Sequence, residues 1–397
     1  MPRSSMHRQV LILASAQAIF QTASTLVMTV GGLAGAKLAS SPALATLPIA
    51  TMFLGTAAVT FPASMWMARV GRRPGFVLGA LLGVIGGVIA ALGVWTTNLP
   101  LLALGTFLVG AYQSFAQFYR FAASEVATDA YRPRAIALVL GGGIVAAFAG
   151  PFLARIGGPL LDPVYVGSFL LLSLISLLGA GTLLALHVPP PATADQIERG
   201  RPWREIVTQP AYLAALFGAV TGYGIMILAM AATPLAMVHH HHSLSAAATV
   251  IQFHVLGMFL PSFFSGNLIA RFGARRVMLA GVAILGFHVL ATATGTGFTS
   301  FASALVLLGV GWNFLYIGGT TLLTTTYTQA ERGRAQATND MTIFAVGLAS
   351  SFGAGALLDL VGWQRMNLML LPWLAIAAVV LLWQETRARR SLGPVAA

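Results

Sequence analysis

The chain contains no cysteine, which excludes disulfides, thiolate-held zinc and cysteine-ligated iron–sulfur clusters. Charge is nearly as scarce. Only 8% of the 397 residues are charged, against about 25% in soluble domains, so this composition does not make a water-facing surface. Ten acidic residues stand against 22 basic ones, and all ten fall in expected loops or near the ends of apolar runs. No carboxylate is therefore expected at a membrane midplane, where ion-coupled carriers often keep one as a proton relay. Asp340, close to the start of an apolar run, is the deepest, and an ion pair or cap is its expected role. The short alternating segments of a transmembrane barrel are also missing.

What is present is apolar: 57% of residues are hydrophobic and the mean hydropathy is +0.83. Runs near the ~20 residues that cross ~30 Å of hydrocarbon recur along the whole chain. They must be helices, because lipid offers the backbone no hydrogen-bond partners. The pattern predicts an all-α polytopic membrane protein with twelve transmembrane helices in two six-helix repeats. The first six are expected near 9–33, 44–66, 76–95, 99–122, 134–157 and 163–187. The second six are expected near 211–237, 245–269, 276–295, 298–325, 335–358 and 366–385. The domains are then an N-terminal half over 1–187, a cytoplasmic linker over 188–210, and a C-terminal half with a cytoplasmic tail over 211–397. The first run has no cleavage signature and is read as a retained span.

The net charge of +12 has a specific distribution. Arg3 and Arg8, Arg69 to Arg73, Arg132 and Arg134, and Arg199 to Arg204 occupy alternate loops. The series continues with Arg271 to Arg276, Arg332 and Arg334, and Arg387 to Arg390, whereas the opposite loops hold Lys37, Arg155 and Arg365. Such asymmetry places both termini and the linker in the cytoplasm. It also assigns the excess charge to topology beside a lipid bilayer, with no nucleic-acid partner. Basic residues that are nearly all arginine, together with abundant Ala and Gly, suggest a GC-rich bacterial genome, and the expected location is the bacterial inner membrane.

The halves echo one another. Ala68-Arg69-Val70-Gly71-Arg72-Arg73 after the second run returns as Ala270-Arg271-Phe272-Gly273-Ala274-Arg275 after the eighth. Arg132-Pro133-Arg134-Ala135 returns as Arg332-Gly333-Arg334-Ala335. Offsets near 200 residues are those of a duplicated six-helix unit. With its central linker, Pro189 to Arg204, the chain resembles the major facilitator superfamily over essentially its whole length. That family usually has Asp where Ala68 and Ala270 stand, so the ion pair built on that Asp is missing here.

Met226-x-x-x-Met230 on the seventh run and His254-x-x-x-Met258 on the eighth place soft metal ligands one helical turn apart. Thioether and imidazole together favour Cu(I). With these two motifs the chain also resembles the CcoA-type copper importers that supply cytochrome oxidase assembly. That resemblance implies metal-binding roles for Met226, Met230, His254 and Met258, with copper as transported substrate and an unspecified cytoplasmic acceptor; transport needs no bond-making chemistry, so neither catalysis nor a cofactor is expected. His239, His240, His241 and His242, above Met237, are read either as a peripheral metal-capture site or as a tolerated polar loop. The leading alternative is a carrier of a small organic solute or drug, lined by Gln17/Gln21, Gln113/Gln117, Tyr112, Trp312 and Tyr316. A further alternative is a non-transporting scaffold or sensor. Arg120 is expected to reach toward the interface, and His288 to act as a structural hydrogen-bonding residue.

Overall fold

The computed structural model describes residues 3–40, 44, 47–188 and 200–391; the linker stretch 189–199 and the tail beyond 391 lie outside the described residues. Among the described residues the chain is all helix and turn, without strands. The first half holds α1 (Arg3–Leu38), α2 (Leu47–Val70), α3 (Arg72–Trp95), α4 (Leu99–Ala116), α5 (Tyr119–Val126), α6 (Arg132–Gly141), α7 (Ile144–Gly157) and α8 (Val166–Leu184). The second holds α9 (Trp203–Val207), α10 (Pro210–His239), α11 (Leu244–Phe259), α12 (Ser262–Phe272) and α13 (Ala274–Ala293). It ends with α14 (Phe298–Leu323), α15 (Arg332–Leu368) and α16 (Leu371–Ser391).

Eleven helical stretches among the described residues are long and apolar enough to cross a membrane. The remaining expected span, near 335–358, lies on α15, which is bent at Gly362 (φ 77°, ψ 170°). Three expected spans are broken along their length, and the twelfth, near 366–385, is interrupted at Met369–Leu370 close to its start. The fourth divides into α4 and α5 at Gln117–Phe118, the fifth into α6 and α7 at Gly142–Gly143, and the eighth into α11 and α12 at Leu260–Pro261. Glycine lowers helix propensity and proline removes the N–H that the preceding turn needs, which accounts for the second and third breaks. Nothing in the structure explains the first.

Two compact units emerge from the internal contacts. One comprises Met1–Thr128, Leu138–Glu198 and Arg332–Phe344; the other comprises Asp129–Ala137, Arg199–Glu331 and Ala345–Ala397. Each unit is organised around its fourth span. In the first, α4 packs against α2 and α3; in the second, α14 packs against α10, α11 and α13. Small residues let these backbones approach closely, the usual basis of helix association in lipid. A Cβ on Gly110 would clash with the Met52 carbonyl of α2, and one on Gly309 would lie 2.6 Å from the His254 carbonyl of α11. The duplicated loop motif is also a duplicated conformation. Gly71 (φ 99°, ψ 167°) and Gly273 (φ 85°, ψ 153°) both cap the helix that follows them, in backbone geometry essentially reserved for glycine. Similarly, Arg132 and Arg332 each open a helix, α6 and α15.

Candidate functional site

Met226 is buried and Met230 half-buried on α10, while His254 and Met258 are buried on α11. Both helices pack chiefly on α14 rather than on each other. His254 Nδ1 donates to the Leu305 carbonyl of α14 at 2.9 Å; a carbonyl only accepts, so this contact puts the proton on Nδ1. That leaves Nε2 as a lone-pair acceptor, buried and without a partner among the described residues. One turn further along, Asn313 Nδ2 donates to the Met258 carbonyl (2.7 Å) and to Ser262 Oγ (2.7 Å). Pro261 offers no N–H to the turn before it, and Asn313 supplies donors to the interrupted segment. His254 and Asn313 thus join α11 to α14.

Beside this seam runs a row of aromatic rings. Phe259 of α11 meets Trp312 of α14 edge-on, with centroids 6.0 Å apart. Trp312 stacks on Tyr316 at 4.9 Å and 17°, and Tyr316 meets Tyr223 of α10 at 6.1 Å. Residues 312 and 316 stack because i and i+4 share a helix face. Trp312 is 4% exposed, yet its indole Nε1 has no hydrogen-bond acceptor among the described residues. A buried donor of this kind is costly unless something accepts from it. The sequence named Trp312 and Tyr316 but missed Phe259 and Tyr223. Tyr223 was detectable, since it precedes Met226 by one helical turn.

In the first unit, Gln17 and Gln113 are buried and Gln21 is half-buried. Among the described residues Gln113 Oε1 accepts no bond, whereas Gln117 Oε1 accepts from Arg120 Nη1 at 3.2 Å. Tyr112 is enclosed, with its ring edge-on to Phe20 at 5.2 Å. Arg120 does not reach toward an interface. It is fully buried, pairs with Asp340 and lies over the Phe121 ring; with a carboxylate in reach, the guanidinium is better satisfied inward than at the lipid surface. Asn339 Nδ2 donates to the same Asp340 oxygen, so the ion pair expected of Asp340 is present. Arg72, whose motif has Ala68 in place of the usual Asp, is held otherwise. It makes a two-pronged pair with Glu125 (2.6 and 3.2 Å) and donates to Gln336 (2.6 Å), while Arg332 also reaches Glu125. In the sequence Glu125 is one of the acids near a span end, and nothing in its spacing names Arg72 as its partner.

His288 is structural, bonded to the Ala304 carbonyl and to Asn367 Oδ1. Outside the spans, Glu331 accepts from the backbone N–H groups of Arg201 and Thr328 and from the Arg201 side chain. These bonds to the charged form lower its carboxyl pKa to about 2.

His239 closes α10, His240 caps it, and His241 takes φ 64°. His242 Nε2 contacts the Thr296 carbonyl at 2.8 Å, and Met237 is buried beneath them. Among the described residues, no three His, Asp or Glu side chains converge as a metal ion requires. Burial, and then the neighbouring imidazoles, lower the His240 pKa. His239 and His240 instead line a cavity of about 560 Å³ with Asp359, Trp363, Gln364 and Arg365.

Known proteins match this chain along its length. Residues 13–252 and 215–397 match the family model of the Major Facilitator Superfamily. The riboflavin transporter RfnT of Brucella anthropi is 41% identical over 381 residues, covering 94% of this chain and 95% of that protein. An uncharacterized MFS-type transporter of Bacillus subtilis, YdeG, is 29% identical over 408 residues, covering 97% and 94%. Among solved structures, the human organic anion transporter MFSD10 superposes with a TM-score of 0.77, covering 96% of this chain and 100% of that one at 11% identity, a likeness of fold alone. These relatives do not support the narrower resemblance to CcoA-type copper importers.

Proposed function

This chain belongs to the Major Facilitator Superfamily, and we propose that it carries a small organic solute of the riboflavin class across the membrane by alternating access. The carrying observation is the 41% identity, over 94% of the chain, with a protein named as a riboflavin transporter. Site chemistry agrees with that reading. A flavin is a planar ring system edged with donors and acceptors. The Trp312–Tyr316 stack offers a flat aromatic surface and the Trp312 indole an unspent donor. Aromatic stacking contributes about 0.5–1.5 kcal/mol beyond area burial. Transport requires no bond-making step. The arginine distribution supports a bacterial inner membrane with cytoplasmic termini.

A second reading keeps copper as substrate, with Met226, Met230, His254 and Met258 as ligands. The observation favouring it is the free, buried Nε2 of His254. One experiment separates the two: counterflow of radiolabelled riboflavin in proteoliposomes, with and without Cu(I), alongside uptake of radiolabelled copper into the same proteoliposomes. Saturable riboflavin exchange that Cu(I) leaves unchanged is the expected result. Copper uptake with no riboflavin exchange would overturn the organic-solute reading.

A further inference from the structure

The bend in α15 creates a feature that the aromatic row does not use. At Gly362 the backbone adopts φ 77° and ψ 170°, which ends one helical segment and starts the next. Such a break leaves N–H and C=O groups without helical partners. Beside it lies the 560 Å³ cavity, between the last turn of α10 and the bent stretch of α15, inside the range of small-molecule sites. It sits at the end of α10 remote from the arginine-rich loops. Leu235 and Leu358 give it apolar wall. Trp363, which also lines it, is 2% exposed and packs on Phe301 at 5.2 Å, and its Nε1 donor has no acceptor among the described residues. Gln364 uses its amide Nε2 on the Thr292 and Ala293 carbonyls, leaving its oxygen to accept.

Charge decides the class of ligand. Arg365 and Asp359 line the same cavity with opposite sign, so a simple anion meets the carboxylate and a simple cation meets the guanidinium. His239 and His240 add groups that donate or accept when neutral. A net-neutral, planar molecule with both donors and acceptors on an apolar body uses every one of these groups. We infer that this cavity is a second binding site for a neutral polar heteroaromatic solute, the same class as the transported one, separate from the Trp312 row. The inference rests on the organic-solute reading.

Equilibrium dialysis of the full-length protein in nanodiscs, with radiolabelled riboflavin, tests it. The wild type binds two equivalents of different affinity. Trp363→Phe keeps the ring and removes one donor, and the double variant His239→Ala/His240→Ala changes groups at the cavity edge. Each weakens one equivalent about fivefold, as the loss of one hydrogen bond predicts, and leaves the other unchanged. Trp312→Phe weakens only that other equivalent. A single equivalent, sensitive to Trp312→Phe alone, overturns the second site and leaves the transport reading standing. No riboflavin binding by the wild type overturns both.

Discussion

Arg120 and Asp340 form an ion pair in which both side chains are 1% exposed, although they are 220 positions apart in the chain. Asn339, Gln117 and the Phe121 ring surround the pair. Breaking such a pair strands a charge where water cannot reach it, whereas removing both charges costs much less. Asp340→Asn is therefore expected to destabilise the protein by about 3–5 kcal/mol, and Arg120→Met/Asp340→Leu by clearly less. Thermal unfolding in detergent measures this, and Arg120→Met and Asp340→Leu as single variants complete the double-mutant cycle. Additive losses would show that the two residues do not act as a unit.

Trp312 is the donor expected to meet the solute. Trp312→Phe keeps an aromatic face against Tyr316 and removes only the N–H, so half-saturation for riboflavin exchange should rise about tenfold. That corresponds to about 1.4 kcal/mol, within the range of one hydrogen bond. Trp312→Ala should cost more, because the stack disappears as well. Equal kinetics for wild type and both variants would remove the row from the solute path.

The methionines are expected to be packing residues under the organic-solute reading. Replacing Met226, Met230 and Met258 together by Leu preserves volume and should cost under about 1.5 kcal/mol per site, with riboflavin exchange intact. Titration with Cu(I) against a competing chelator, alongside the exchange assay, checks both readings. Loss of copper binding together with lost copper transport would revive the metal assignment.

Glu331 carries a pH signature. Its folded-state pKa, about 2, lies below the ordinary value of about 4.3. The stabilising contribution is thus complete above the ordinary value and is lost as pH falls from there toward 2. Hydrogen exchange at the Arg201 and Thr328 amides, both of which donate to Glu331, should show protection declining over that interval. Glu331→Gln should show weaker protection with no such decline. Identical profiles would mean that the carboxylate does not hold the segment.

Gly273 isolates backbone strain from packing. Nothing lies within 4 Å of the Cβ that alanine would add there, yet φ is +85°. Gly273→Ala should cost about 1–3 kcal/mol through conformation alone, visible as a lower unfolding temperature. An unchanged temperature would mean that the loop relaxes to another conformation.

Hydrophobic run length and charge asymmetry carried the helical membrane architecture, because lipid leaves the backbone a single economical choice and each span reports itself locally. The repeat was equally legible: the motif around Gly71 and Gly273 recurs in sequence and in dihedral angles. Half of the aromatic row could be read too, since Trp312 and Tyr316 are one turn apart on one helix. Its other members lie on different helices, and no spacing rule connects Phe259 to Trp312 or Tyr223 to Tyr316.

Soft-ligand spacing on the seventh and eighth runs is legible in the sequence, whereas the direction in which the His254 ring faces is not. Tertiary packing turned it onto the Leu305 carbonyl of α14. The same holds for charge. Composition determined that carboxylates would be few and kept toward span ends; only the folded chain decided that Asp340 would meet Arg120 and Glu125 would meet Arg72. Burial and span length are properties of a local stretch, so the sequence states them. Partnership depends on distances between segments hundreds of residues apart, and those exist only after the helices have packed.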